Sequence, residues 1–134
     1  MAILDDIGAY VGANTSLTLG TDFFLSLLPE SPDNCVALFE EGGTAPLFTL
    51  GATNTPQIER PQLQIIVRNT SYSTGASTAR TVYLLLTAIV NQTINSNYYQ
   101  RVEAVATPAL FQRDENRRSL FTVNFDVYKE TVTS

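Results

Sequence analysis

The sequence predicts an α+β fold, a single domain with a mostly antiparallel β-sheet and two helices packed on one face. Three observations carry that prediction. Phe121, Val123, Phe125 and Val127 alternate strictly with Thr122, Asn124 and Asp126, which is the period of a strand with one buried face. Ala76, Ala79, Val82 with Tyr83, Leu86, and Ile89 with Val90 recur at helical spacing, so they form the apolar stripe of a helix. Around these two patterns lie shorter runs of strand character, bounded by Pro, Gly, Asn or Asp, the residues that punctuate strands.

Composition narrows the class of function. A chain of 134 residues with 44% hydrophobic content is one domain that buries about two-thirds of its unfolded surface. Only 16% of residues are charged, against ~25% in an ordinary soluble domain, so other subunits are expected to cover part of the surface. The net charge of −5 opposes an electrostatic grip on DNA or on an anionic membrane. Seven of the eight basic residues are Arg, Lys129 being the exception, and the planar guanidinium suits interface ion pairs. Cys35 is the one cysteine; it forms no internal disulfide and fits a reducing compartment. The opening MAILDDIGAY has neither the basic region nor the apolar run of a signal peptide, and no apolar segment approaches the ~20 residues of a membrane span. Synthesis in the cytoplasm is the expectation.

The elements follow in order. Ile3, Ile7, Tyr10 and Val11 predict a short docking helix over residues 2–12, with Asp5 and Asp6 on its other side near the favoured end of the dipole. Gly8 and Gly12 permit close packing there. Residues 23–28 form an apolar run, stopped by the turn-rich Pro29–Asn34, and the apolar Cys35–Glu40 follows; the pair predicts a hairpin with Cys35 buried. Glu41–Arg60 shows no periodicity and reads as a long loop. Its Leu47, Phe48 and Leu50 either tuck onto the body or meet a partner. Gln62–Arg68 is a strand with Leu63, Ile65 and Val67 inward, and the helix spans about residues 74–90. Tyr98–Ala106 is a strand interrupted at Thr107–Pro108. Ala109–Gln112 resumes it, a polar turn at Arg113–Arg118 follows, and the alternating strand closes the fold. Residues 129–134 are expected to fray.

Parts for catalysis are few. The chain has no His, the commonest acid, base and metal ligand. Cys35 has no His to lower its pKa. The pairs Asp5–Asp6, Glu40–Glu41 and Asp114–Glu115 are adjacent in sequence, and adjacent acidic pairs are far more often solvated than a catalytic dyad. Asp114–Asn116 lacks the ligand count of a calcium loop, and Glu41–Thr44 is too short for a phosphate loop and lacks its Lys. No catalytic residue, metal ligand or cofactor is predicted.

Three blocks carry a family resemblance. They are Pro29–Leu38, the Glu59-Arg60-Pro61 step into Leu63–Arg68, and Arg113-Asp114-Glu115-Asn116 ahead of Phe121-x-x-Asn124-Phe125-x-Val127. Their order and spacing resemble the small phage minor capsid proteins, which are similar to the tail terminator, or tail completion, proteins of long-tailed bacteriophages. The resemblance runs from about Ile3 to Lys129. It departs at one place: relatives tend to have Asn-Gly at the turn, whereas Arg117 follows Asn116 here, which predicts a wider loop than a two-residue turn. The resemblance implies a structural virion protein, a ring (hexameric by analogy) at the head–tail junction. Such a ring would meet itself, the major tail tube protein and the head-completion proteins, with DNA passing through its lumen unbound and no membrane involved. Arg60, Arg68, Arg113, Asp114, Glu115, Arg117 and Arg118 are then the expected subunit-interface residues, and Glu41, Leu47, Phe48 and Leu50 the expected contacts to tail or connector. A head-completion or adaptor protein and a monomeric small-ligand-binding domain are the alternatives.

Overall fold

The computed structural model describes residues 3–47 and 58–130. Among them two helices and seven strands form the expected α+β fold: α1 (Ile3–Asn14), β1 (Phe23–Leu25), β2 (Cys35–Leu47), β3 (Ile58–Asn69), α2 (Tyr72–Thr87), β4 (Val90–Ile94), β5 (Asn97–Ala104), β6 (Ala109–Arg113) and β7 (Ser119–Glu130). The strands make one sheet in the order β1-β2-β3-β7-β5-β4, with β6 also paired to β7. All pairs are antiparallel except β1 with β2.

Register puts the alternating residues where the period predicts. Leu38 pairs Ile65 and Ile65 pairs Val123, so one face carries Val36, Leu38, Leu63, Ile65, Val67, Phe121, Val123, Phe125 and Val127 into a common core with Ile7, Val11, Ala79, Val82 and Leu86 of the helices. Two close approaches seat the helices. A Cβ on Gly8 would meet Leu25 Cδ2 at 3.0 Å, and one on Gly75 would meet Phe121 Cε1 at 2.6 Å. Gly12 has open space instead. Ser71 caps α2, its side chain accepting from Thr74 N, which satisfies one of the free amides of the first turn. The opposite sheet face carries Gln62, Gln64 and Ile66 beside Asp126, Asn124 and Thr122. It is mostly polar and half-buried or exposed. Gln62 Nε2 donates to Asp126 Oδ1 at 2.8 Å, and Arg101 Nη2 pairs with Glu103 Oε2 at 3.2 Å while stacking over Tyr128.

Five expectations need correction. Phe23–Leu25 and Cys35–Leu47 are parallel neighbours and not a hairpin, because the Pro-rich segment between them doubles back and returns the chain to the same end. The expected loop at Glu41–Arg60 is strand through Leu47 and again from Ile58; Phe48 and Leu50 lie outside the described residues. Register shifts between Glu41 and Thr44, and again between Thr44 and Leu47, break the two-residue period that would have marked the strand. The α2 helix ends at Thr87, and Val90–Ile94 is a strand joined to β5 through Asn95 and Ser96, both with positive φ, as a tight hairpin turn demands. Lys129 and Glu130 belong to β7, held by Glu59 and Ile58 of the extended β3; residues 131–134 lie outside the described part. Finally, Asp6 is fully buried, accepting hydrogen bonds from Asn97 Nδ2 (2.7 Å) and the Tyr99 hydroxyl.

Candidate subunit interface

The β6–β7 hairpin is shaped by one carboxylate. Asp114 O accepts from Arg117 N at 3.0 Å and Asp114 N donates to Arg118 O at 3.1 Å. Its side-chain Oδ1 accepts from Asn116 N (3.0 Å) and Arg118 N (2.9 Å). This is the three-residue loop that ends in a left-handed residue, and Arg117, at φ 60°, is that residue. The wider turn expected from Asn116-Arg117 is what forms: the positive φ falls once, at the position where Gly is cheapest.

Beneath the turn two buried arginines clamp the loop at residues 29–33. Arg118 Nε donates to Asp114 Oδ2 at 2.7 Å, its Nη1 to Glu30 O at 2.7 Å and to Asp33 Oδ1 at 3.2 Å, and its Nη2 to Glu30 Oε2 at 3.4 Å. Arg68 Nε donates to Asp33 O at 3.1 Å, and its Nη2 donates to the carbonyls of Pro32 (2.7 Å) and Pro29. Buried guanidinium groups are tolerable only when so many donors are met. Some desolvation acts to raise the Asp114 carboxyl, but the backbone and side-chain bonds from Arg118 and the amide of Asn116 outweigh it and hold it below its usual value. Desolvation likewise works against the Arg118 charge, and Asp114, Glu30 and Asp33 reverse it, so the guanidinium titrates above its usual value. Burial pushes the Cys35 thiol up, more than the charges of Arg68 and Arg118 lower it, which leaves it inert.

Between loop and turn lies an open cleft of about 340 Å³, lined by Leu28, Glu30, Arg68, Asp114, Glu115, Asn116, Arg118 and Leu120. Its buried lining residues are Arg68, Arg118 and Leu120, and its exposed ones include Glu30 and Glu115. Among the described residues no three His, Cys, Asp or Glu side chains converge to hold a metal ion, and no described helix is long and apolar enough to cross a membrane.

The sequence matches the family described as bacteriophage tail terminator protein over residues 10–131. The chain belongs to the bacteriophage tail terminator family. No curated protein matches it. The match runs from within α1 through the whole of β7, so this tail terminator carries the family sequence across its entire sheet. Membership makes it a structural component of the virion that works against other virion proteins.

In this terminator the expected interface residues divide. Arg113, Glu115 and Arg117 are exposed on the hairpin. Arg60 is half-buried on β3, opposite Thr44, and Glu41 is exposed on β2, opposite Gln62. Leu47 ends β2, and its side chain is outside the described part. Arg68 and Arg118 are buried and spend their donors inside the subunit, while Asp114 is half-buried and organises the turn. Sequence reasoning missed Glu30 and Asp33, which hold Arg118 from 88 and 85 residues away. The turn signal of the loop was visible, its arginine partners were not. Asp6 with Tyr99 was missed too; an acid beside a helix start reads as a dipole partner, and the tyrosine that claims it is 93 residues on.

Proposed function

We propose that this terminator assembles into a ring, hexameric in the particle, that ends the tail tube at the head–tail junction and joins it to the head connector. The family match across residues 10–131 carries the reading. Two features of the subunit support it: a sheet face that no layer of the described residues covers, and a charged content of only 16%. Arg60, Arg113, Glu115 and Arg117 are the residues offered to a neighbouring subunit, and the β2–β3 arm bearing Glu41 is offered to the tail tube protein or the head-completion proteins. The chain is made in the host cytoplasm and ends at the head–tail junction. It acts without catalysis, metal or cofactor. DNA passes through the lumen without being held, since a chain of net charge −5 supplies no excess of cations for phosphate.

The test is a particle reconstruction together with a lysate in which the gene is disrupted. Ring density of this chain between tail tube and connector is expected, and the lysate should hold filled heads beside unjoined tails of uncontrolled length. Tails of normal length that fail to join heads would assign the chain to head completion instead. Density for this chain absent from the junction would overturn the proposal.

A further inference from the structure

We propose that neighbouring subunits meet through Arg80 of one copy and the Glu30–Glu115 cleft of the next, an inference that rests on the ring reading. The exposed large hydrophobic residues fall into two groups. Among the described residues, Tyr72 and Leu84 lie on α2, Leu110 and Phe111 on β6, Val90 on β4 and Val105 just after β5, whereas Leu19 and Leu27 lie on the segment leading to the cleft. The α2 helix is 16 residues long and Arg80 is its one charge. Its exposed positions are otherwise Tyr72, Ser73, Thr74, Ser77, Thr81 and Leu84. A helix with a free outer face ordinarily carries charge there.

Arg80 is exposed, with its guanidinium 5.7 Å from the centre of the Tyr83 ring. No described carboxylate pairs with it. It borders a groove of about 180 Å³ between α2 and β6, lined in part by Tyr72, Ala76, Leu110 and Phe121. The cleft has complementary chemistry. Leu28 and Leu120 line it beside the buried Arg68 and Arg118 and offer apolar surface to the methylenes of an incoming arginine, and the exposed Glu30 and Glu115 offer carboxylates to its head. The Glu30 side chain is 92% exposed and reaches Arg118 only at 3.4 Å. Glu30, Asp33, Asp114 and Glu115 face two cations, Arg68 and Arg118, which leaves a surplus of negative charge. A side chain with an aliphatic stem and a forked cationic head satisfies both parts of such a site.

The two surfaces also lie on opposite sides of the sheet. Phe121 lines the groove and Leu120 the cleft, and consecutive strand residues point to opposite faces. A head-to-tail ring requires two different patches, whereas a two-fold dimer pairs one patch with itself. Other exposed arginines fit less well. Arg113 and Arg117 belong to the hairpin that walls the cleft, and Arg101 is engaged with Glu103 and Tyr128.

The experiment is a charge swap in the full chain, with assembly read by native mass spectrometry against subunit concentration, or by ring density in purified particles if rings form only on the tail. Arg80→Glu should raise the concentration for half-assembly by about tenfold or more. Glu115→Arg should do the same, and the double variant should return most of the loss. All three should melt as the wild-type subunit does, because both side chains are exposed. Rings from Arg80→Glu at wild-type concentration, or a double variant no better than either single one, would overturn the contact and leave the ring reading standing. Unchanged rings with failed tail joining would assign the surface to a tail or connector protein and overturn it equally. A wild-type chain that forms no ring, in solution or in the particle, would remove both.

Discussion

Asp114 and Arg117 show how a single side chain sets a turn. The Asp114 carboxylate stands in for backbone acceptors at two amides, while Arg117 occupies a left-handed conformation at φ 60° that costs an L-residue about 1–2 kcal/mol. Glycine removes that strain at an entropic cost of roughly 0.5–1 kcal/mol, so Arg117→Gly should stabilise the isolated subunit by roughly 0.5–1 kcal/mol in urea unfolding. No gain would mean that the arginine makes compensating contacts. Asp114 also predicts a pH dependence. Its folded pKa lies below the unfolded value, so its contribution is complete above about pH 4–5 and is lost as pH falls through the folded pKa. The stability gap between wild type and Asp114→Asn should therefore close on acidification from about pH 5 toward about pH 2. A gap constant over that window would show that the carboxylate charge contributes nothing.

At the scale of elements, packing is decided by close approach and by buried polar anchors. Gly75 lets α2 descend until Phe121 lies within 2.6 Å of the position a Cβ would take, and Tyr72 rests against the same ring at 5.5 Å between centroids. Gly75→Ala gains helix propensity but overpacks this contact, and a net loss of about 1–2 kcal/mol is expected by chemical denaturation. A stabilised variant would show that Phe121 can shift freely. The α1 helix is tied down differently, by Asp6 reaching Asn97 and Tyr99 on β5. Burial first, and then the hydrogen bond to Asp6 and its charge, push the Tyr99 phenol far above its usual pKa, so it remains a donor. Tyr99→Phe leaves a buried carboxylate with one donor fewer and should cost about 1–3 kcal/mol. A loss below about 0.5 kcal/mol would mean that water replaces the hydroxyl.

For the whole molecule, arginine serves two purposes that composition cannot separate. Arg68 and Arg118 bind the loop at residues 29–33 to the ends of β3 and β7, and Arg113 and Arg117 stand exposed above them. Arg118→Ala should lower the melting temperature of the isolated subunit and increase hydrogen exchange in the 29–33 loop, because it removes the side-chain bonds to Glu30 O, Asp33 Oδ1 and Asp114 Oδ2 that tie the loop to the hairpin. Arg113→Glu should leave both unchanged, since exposed charges contribute little to stability. Equal melting for the two variants would erase the division.

Local pattern was enough to read the α+β class, the β7 strand, the α2 stripe and the Leu63-Ile65-Val67 face, because burial of one face imposes a period that a sequence must display. The hairpin turn was legible for a different, equally local reason, as Asn116-Arg117 carries its own conformational preference. Three things depended on the folded chain. β2 continues past Glu40 because β3 is there to pair with it, and the bulges that permit this pairing erase its period. β1 runs parallel to β2 because the intervening loop is captured by Arg68, whose bonds go to carbonyls that every residue possesses. The acidic cleft is assembled from residues 28–30, 68 and 114–120, segments far apart in the chain. Charge pairing and hydrogen bonding over such separations obey no spacing rule, so the sequence shows the groups and only the tertiary structure brings them together.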